Sequence, residues 1–252
     1  MKSTFPFLCG LALVIGACKA KKDDFVPETP SAYVQLSPGK SITYLLDSTV
    51  FVQSGRVQEH HRYQERHTVD AAVTDGLGRP SWRIFRSLRD SAGTGAWTPA
   101  GTYLMTLTAG TLELIEDNMR SIRLSTPVKT GTTWKGNRYL ATEPYALLYN
   151  FSNDDAPGFA DWDFSITASG ETATINGRSY EAVATLNGPD ESLNEPITIP
   201  SSFGYRTYLS EQWAVGVGMI YQNYILWEYQ PNPNGTPYRI GFGVERSILD
   251  HN

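Results

Sequence analysis

The chain has 252 residues, a formal net charge of −5 and a mean hydropathy of −0.31, with 40% hydrophobic and 19% charged residues. Such a composition fills a core and excludes a disordered stalk, and a mildly acidic balance without a basic cluster excludes nucleic acid as a partner. Two cysteines, Cys9 and Cys18, leave little room for a disulfide framework.

Lys2, the apolar run from Phe5 to Ile15 and the small residues up to Cys18 have the order of a secretory signal peptide. The run is about half of the roughly 20 residues a membrane-spanning helix requires. Cleavage before Cys18 would leave 235 residues and remove Lys2 and Cys9. The division expected is a signal peptide over 1–17, a tether over 18–32 and a single β-rich domain over 33–252. Pro27 and Pro30, set among polar residues, favour an extended spacer in that tether.

Strand signals then follow in chain order. They run Ser41–Val52, Val57–Val73, Arg79–Arg89, Thr102–Thr108, Thr111–Glu116, Arg120–Ser125 and Thr133–Ala141, then Tyr145–Ser152, Trp162–Ser169, Glu171–Ile175, Tyr180–Leu186 and Met219–Tyr229. Turn residues separate them, among them Asp75-Gly76-Leu77-Gly78, Ala109-Gly110, Asp117-Asn118 and Asn176-Gly177. One short stretch, Ser201–Glu211, fits a helix or a strand equally well. The fold expected is all-β: a curved antiparallel meander, half-barrel or sandwich, with little or no helix. In Met219–Tyr229 both faces are substantially apolar, so this strand is expected to be covered on both sides.

Ile15-Gly16-Ala17-Cys18 resembles the lipobox of bacterial lipoproteins, in which the cysteine is acylated and becomes the first residue of the mature chain. The resemblance implies a lipid anchor, palmitate or a similar acyl chain, at Cys18; two or more such chains hold a protein stably in a bilayer. Lys19-Ala20-Lys21-Lys22-Asp23-Asp24 is similar to the export signal of Bacteroidota surface lipoproteins, with the acidic pair placed slightly late. That implies the outer membrane, facing outwards, with the periplasmic face as the alternative. Glu211–Tyr224 (EQWAVGVGMIYQNY), with Thr133-Trp134-Lys135-Gly136-Asn137, is similar to segments of a β-rich Bacteroidota lipoprotein family and implies architecture, a half-barrel like that of lipoprotein carriers, without an activity. Gly216 and Gly218 in that segment suit a tight bend. Asp47-Ser48-Thr49 and Asp90-Ser91-Ala92 are similar to the O-glycosylation triplet of the same phylum.

Motifs of chemistry are sparse. Glu59, His61, Tyr63, Glu65 and His67 share one strand face, with neighbours roughly 6.6 Å apart. His61, Glu65 and His67 are the metal candidates, but His61 and His67 stand too far apart in a strand for one ion, and the expected reading is a solvated face with cross-strand charge pairs. Asn153-Asp154-Asp155 and Asp161-Trp162-Asp163 lack calcium-loop spacing, and His251 reads as a terminal polar residue. Neither a nucleophile elbow nor a phosphate loop is present, so neither catalytic residue nor cofactor is expected. Tyr221, Tyr224 and Trp227 are the candidate ligand-binding residues, since flat rings with polar tips suit an apolar or carbohydrate ligand. The function expected is non-catalytic ligand binding at the cell envelope. The alternatives are an accessory subunit with an envelope protein partner and a hydrolase with a metal site near Glu59–His67.

Overall fold

The computed structural model describes residues 29–149, 151 and 158–252. The signal peptide, Cys18, the tether up to residue 28 and Asn153-Asp154-Asp155 lie outside the described residues.

Twelve strands form one antiparallel sheet: β1 (Ser41–Val52), β2 (Val57–Thr74), β3 (Pro80–Asp90), β4 (Thr98–Leu107), β5 (Thr111–Glu116), β6 (Met119–Ser125), β7 (Thr133–Lys135), β8 (Asp163–Ile175), β9 (Arg178–Leu193), β10 (Gly204–Ala214), β11 (Gly218–Gln230) and β12 (Tyr238–His251). Their spatial order, β6-β5-β4-β3-β2-β1-β12-β11-β10-β9-β8-β7, is two meanders joined where β1 pairs with β12. The free flanks, β6 and β7, are neighbours in sequence and meet again: Ile122 N–H donates to the Gly136 carbonyl at 2.7 Å, and Trp134 Nε1 donates to the Ile122 carbonyl at 3.0 Å. The sheet is therefore a nearly closed barrel, more fully curled than a half-barrel. Closure satisfies the edge groups that an open sheet would expose.

Curling a sheet this far needs local bends. Register shifts interrupt the ladders at Thr43/Tyr44, Val69/Ala71, Arg86/Ser87, Leu112/Glu113 and Gln212/Trp213; each adds twist where the wall turns. Gly216 (φ +71°) and Gly218 (φ +127°) stand at the β10–β11 hairpin, and Gly216 N–H donates to the Ala32 carbonyl at 2.8 Å.

Three expectations are corrected. Tyr145–Ser152 is not a strand over its described part: Ala146–Tyr149 forms the short helix α1, and Tyr149 N–H donates to the Tyr145 carbonyl. Thr133–Ala141 is extended only over Thr133–Lys135, because Asn137 and Lys135 carbonyls turn the chain by accepting from Leu140 and Arg138. The face carrying Glu65 and His67 is not solvated: Glu65 is fully buried, because odd-numbered residues of β2 point into the barrel. Ser201–Glu211 resolves as strand from Gly204 on, and β12 is a strand beyond those expected above.

The core sits mainly against β7–β12, where Phe151, Phe159, Trp162, Phe164, Trp213 and Phe242 pack together. One end of the barrel is stoppered by the 3₁₀ turn Pro30–Tyr33, whose Tyr33 is fully buried. Leu36 then packs on Val69, Ile84 and Tyr103. The outer face of β1–β3 is charged. Arg62 pairs with Asp47 at 2.6 Å, Arg83 with Asp70, and both Arg66 and Arg89 stack on Trp97 at 4.4 Å. Mid-strand arginines cost about 2–4 kcal/mol each against lipid, so this wall faces water.

Candidate functional site

Between the filled half of the barrel and strands β1–β6 lies a cavity of about 480 Å³. It opens at the end of the β1–β2 and β5–β6 turns, where Tyr63, Leu148 and Tyr149 line the rim and are partly exposed. Toward the opposite end its lining runs to Val34, Lys40, Ser41 and Asn252, beside the packed cluster of Tyr44, Tyr180, Val183, Ala214, Ile220 and Ile248. Its upper walls include Val50, Leu88, Met119 and Tyr224.

Strand alternation also turns charged groups inward, and they meet half-way down. Glu65 on β2 takes Arg246 Nε at 2.6 Å, and Arg86 Nε lies 3.1 Å away at ion-pair distance. Arg246 Nη1 donates to Gln222 Oε1, and Gln222 Nε2 donates to Glu211 Oε1 at 2.6 Å. Glu211, fully buried, also accepts from Trp213 Nε1 at 2.9 Å and from Arg123. Arg86 reaches upward to Glu116. The result is a belt, Arg86–Glu65–Arg246–Gln222–Glu211–Arg123, whose members come from β3, β2, β12, β11, β10 and β6.

Beside the belt, Tyr103 Oη is 3.0 Å from His67 Nδ1, and His67 Nε2 is 3.3 Å from Glu65. Tyr44 and Tyr103 both meet the imidazole edge to face. Burial pushes the His67 pKa below its ordinary value, although Glu65 pulls the other way. This fits a neutral ring that accepts from Tyr103 and directs its Nε2–H at Glu65. Burial alone would raise the Glu65 carboxyl, but Arg246 and His67 outweigh it and hold it well below the usual carboxylate range. Burial lowers Arg123 to about 10, and it raises the hydroxyls of Tyr103, Tyr145 and Tyr224. Near neutral pH the Glu65 carboxylate and the arginines stay charged and paired, and the tyrosine hydroxyls stay protonated.

The sequence candidates divide. Tyr224 lines the cavity, with its hydroxyl 3.0 Å from that of Tyr145; Tyr221 and Trp227, an odd number of positions away, lie on the other face of β11, where Arg239 stacks over Trp227 at 5.4 Å. Glu65 and His67 come together at the belt, whereas His61 sits nearer the rim with Glu59 at 2.9 Å. Among the described residues no three His, Cys, Asp or Glu side chains are grouped to hold a metal. His251 ends β12 and is exposed, and Asp163 pairs with Lys135 at 3.0 Å. Asp47 points outward to Arg62 while Ser48 lines the cavity, and Ser91 is exposed in the β3–β4 turn.

Sequence reasoning missed Arg123, Glu211, Gln222 and Arg246 as site residues. The signal that exists is a charged residue at an inward position between apolar ones, as in Ser121-Ile122-Arg123-Leu124 and Leu209-Ser210-Glu211.

The fold and site thus define a nearly closed β-barrel with a charged outer wall over β1–β3 and an internal cavity. No family model matches the chain, and no curated protein matches it. A crystal structure from Bacteroides fragilis, of a protein assigned to exported proteins with a YmcC-like fold, overlaps at a TM-score of 0.36 and 11% identity, covering 86% of this chain and 99% of the other. At that overlap neither ligand nor activity carries across.

Proposed function

We propose that this is a non-catalytic binding protein of the cell envelope that holds a small ligand with an apolar body inside its barrel. The observation that carries the reading is the cavity: about 480 Å³ inside the barrel, with aromatic and aliphatic walls and a belt of convergent polar groups. Sites for small ligands occupy roughly 300–1,000 Å³ and have this kind of lining. The enclosed Val50, Leu88, Met119 and Tyr224 favour an apolar ligand over a carbohydrate. A hydrolase reading needs a titratable pair free to act, and Glu65 is committed to two arginines.

Placement in the envelope rests on the sequence: the signal-peptide pattern and the lipobox-like Ile15-Gly16-Ala17-Cys18 support an outer-membrane anchor at Cys18, displayed outward. An accessory-subunit role has one feature in its favour, Leu147 and Leu148 exposed at the rim, where cross-linking in intact cells would find a neighbour.

Native mass spectrometry of the full chain purified without detergent, beside an organic extract of the same sample, tests the binding reading. A discrete bound mass lost on denaturation is expected. A ligand-free mass from both freshly isolated and ligand-exposed protein would sink it. For the anchor, Cys18→Ser should move the protein from the membrane fraction to the soluble one.

A further inference from the structure

Resting on that reading, the belt assigns a polarity to the ligand. We infer that the cavity takes a single-chain amphiphile head first, with an oxyanion, a carboxylate or phosphate, against Arg123 and Arg246 and its chain running past Val50, Leu88 and Met119 to the rim.

The argument is one of hydrogen-bonding capacity. A guanidinium has five N–H donors and no acceptor. Three guanidiniums, Arg86, Arg123 and Arg246, share the belt with two carboxylates, Glu65 and Glu211. Glu211 already accepts from Arg123, Trp213 and Gln222, and Glu65 accepts from Arg246, with Arg86 and His67 beside it at ion-pair distance. Gln222 gives its oxygen to Arg246 and its amide to Glu211. Donors outnumber acceptors in the belt, and one buried donor, Arg86 Nε, has no hydrogen-bond partner. Glu116, the remaining inward carboxylate on β5, faces the cavity already paired with Arg86. Arg123, buried beside Glu211 and lining the cavity, has its pKa lowered by burial to about 10. An incoming group that brings acceptors and negative charge answers this surplus; a hydroxyl answers it weakly and a cation not at all. Above the belt Val50, Leu88, Met119 and Leu148 give a hydrocarbon chain an apolar track, flanked by the polar Ser48, His61, Glu116 and Asp117.

The test is calorimetric titration of the full-length Cys18→Ser chain with dodecanoate, dodecyl phosphate, dodecanol and dodecyltrimethylammonium, each below its micellar concentration. Dodecanoate or dodecyl phosphate should bind at least about tenfold tighter than dodecanol, and the ratio between the two identifies the head group. Arg123→Gln should abolish that preference while leaving dodecanol within about twofold, and Glu211→Gln, which releases Arg123, should strengthen it. Arg123→Lys, with circular dichroism on every variant, keeps the charge should Arg123→Gln not fold, and should retain a reduced preference. Equal binding of anion and alcohol, or tightest binding of the cation, overturns the inference and leaves the binding reading standing. Silence with all four amphiphiles overturns both.

Discussion

Glu65 shows how strongly one buried charge depends on its neighbours. Its carboxylate is fully buried and held by Arg246 and Arg86. Glu65→Gln leaves two buried guanidiniums short of a counter-charge, and a loss of about 3–5 kcal/mol is expected by urea unfolding. Replacing Glu65 and Arg246 together with apolar residues should cost less than the sum of the single changes, measured as a double-mutant cycle. The pH dependence has a definite sign. His67 has a folded pKa below its ordinary 6.5 and Glu65 one below 4.5, so in both cases the unfolded chain binds protons first as pH falls. Stability is full above 6.5, starts to fall below it through His67, and falls further below 4.5 through Glu65. Thermal melts across pH 7 to 4 should show this, and His67→Gln should flatten the upper part of the decline. An unchanged melting profile for His67→Gln would refute its assignment as a buried neutral imidazole.

At the scale of single elements, β11 and β12 approach so closely that only glycine fits at 241. A Cβ there would lie 2.1 Å from the Leu226 carbonyl oxygen, on a residue with φ +102°. Gly39 has a similarly positive φ, +88°, in open space. Gly241→Ala should therefore cost several times more than Gly39→Ala, for which about 1 kcal/mol is expected; chemical denaturation of both variants decides it. The stopper is a second case. Tyr33 is wholly buried among core residues, and Tyr33→Ala should cost about 3–5 kcal/mol and open that end of the barrel to solvent. Hydrogen exchange at β10–β11 would register that opening. Elements such as Ser41–Val52 and Thr111–Glu116 are legible as strands from their β-branched and aromatic residues, although a register shift at Leu112/Glu113 buries adjacent residues from both faces. Tyr145–Tyr149 was not, since its aromatics pack on Phe159, Tyr224 and Phe242 in a helical turn as well as they would in a strand. For β12, Gly241 and Gly243 break the apolar pattern, and their reason is the neighbouring backbone and Thr49, which local sequence does not display.

For the molecule as a whole, the pair that joins the two meanders is β1 with β12, which sets Ile42 against His251 and Thr49 against Gly243 across nearly the full described chain. Such pairings come late and slowly, because the loop they close is long. Removing residues from Tyr238 onward would strip β1 and β11 of a shared neighbour, delete Arg246 from the belt and divide the barrel into two open meanders. Loss of near-ultraviolet circular dichroism and aggregation are expected; a soluble, cooperatively melting product would show that either half folds without closure.

The sequence by itself determined the all-β class, the antiparallel meander, most strand positions and the shared face of Glu59 to His67, because period-two alternation and turn chemistry are local properties of the backbone. Only the tertiary structure decided that the sheet curls almost shut, that Glu65 and His67 face a cavity and not water, and that Tyr224 faces inward where Tyr221 and Trp227 do not. Which face of a strand is the inside depends on the direction of curvature. The belt depends further on bringing Arg86, Arg123 and Arg246 to one level from three strands distant in the chain, and neither property resides in any single segment.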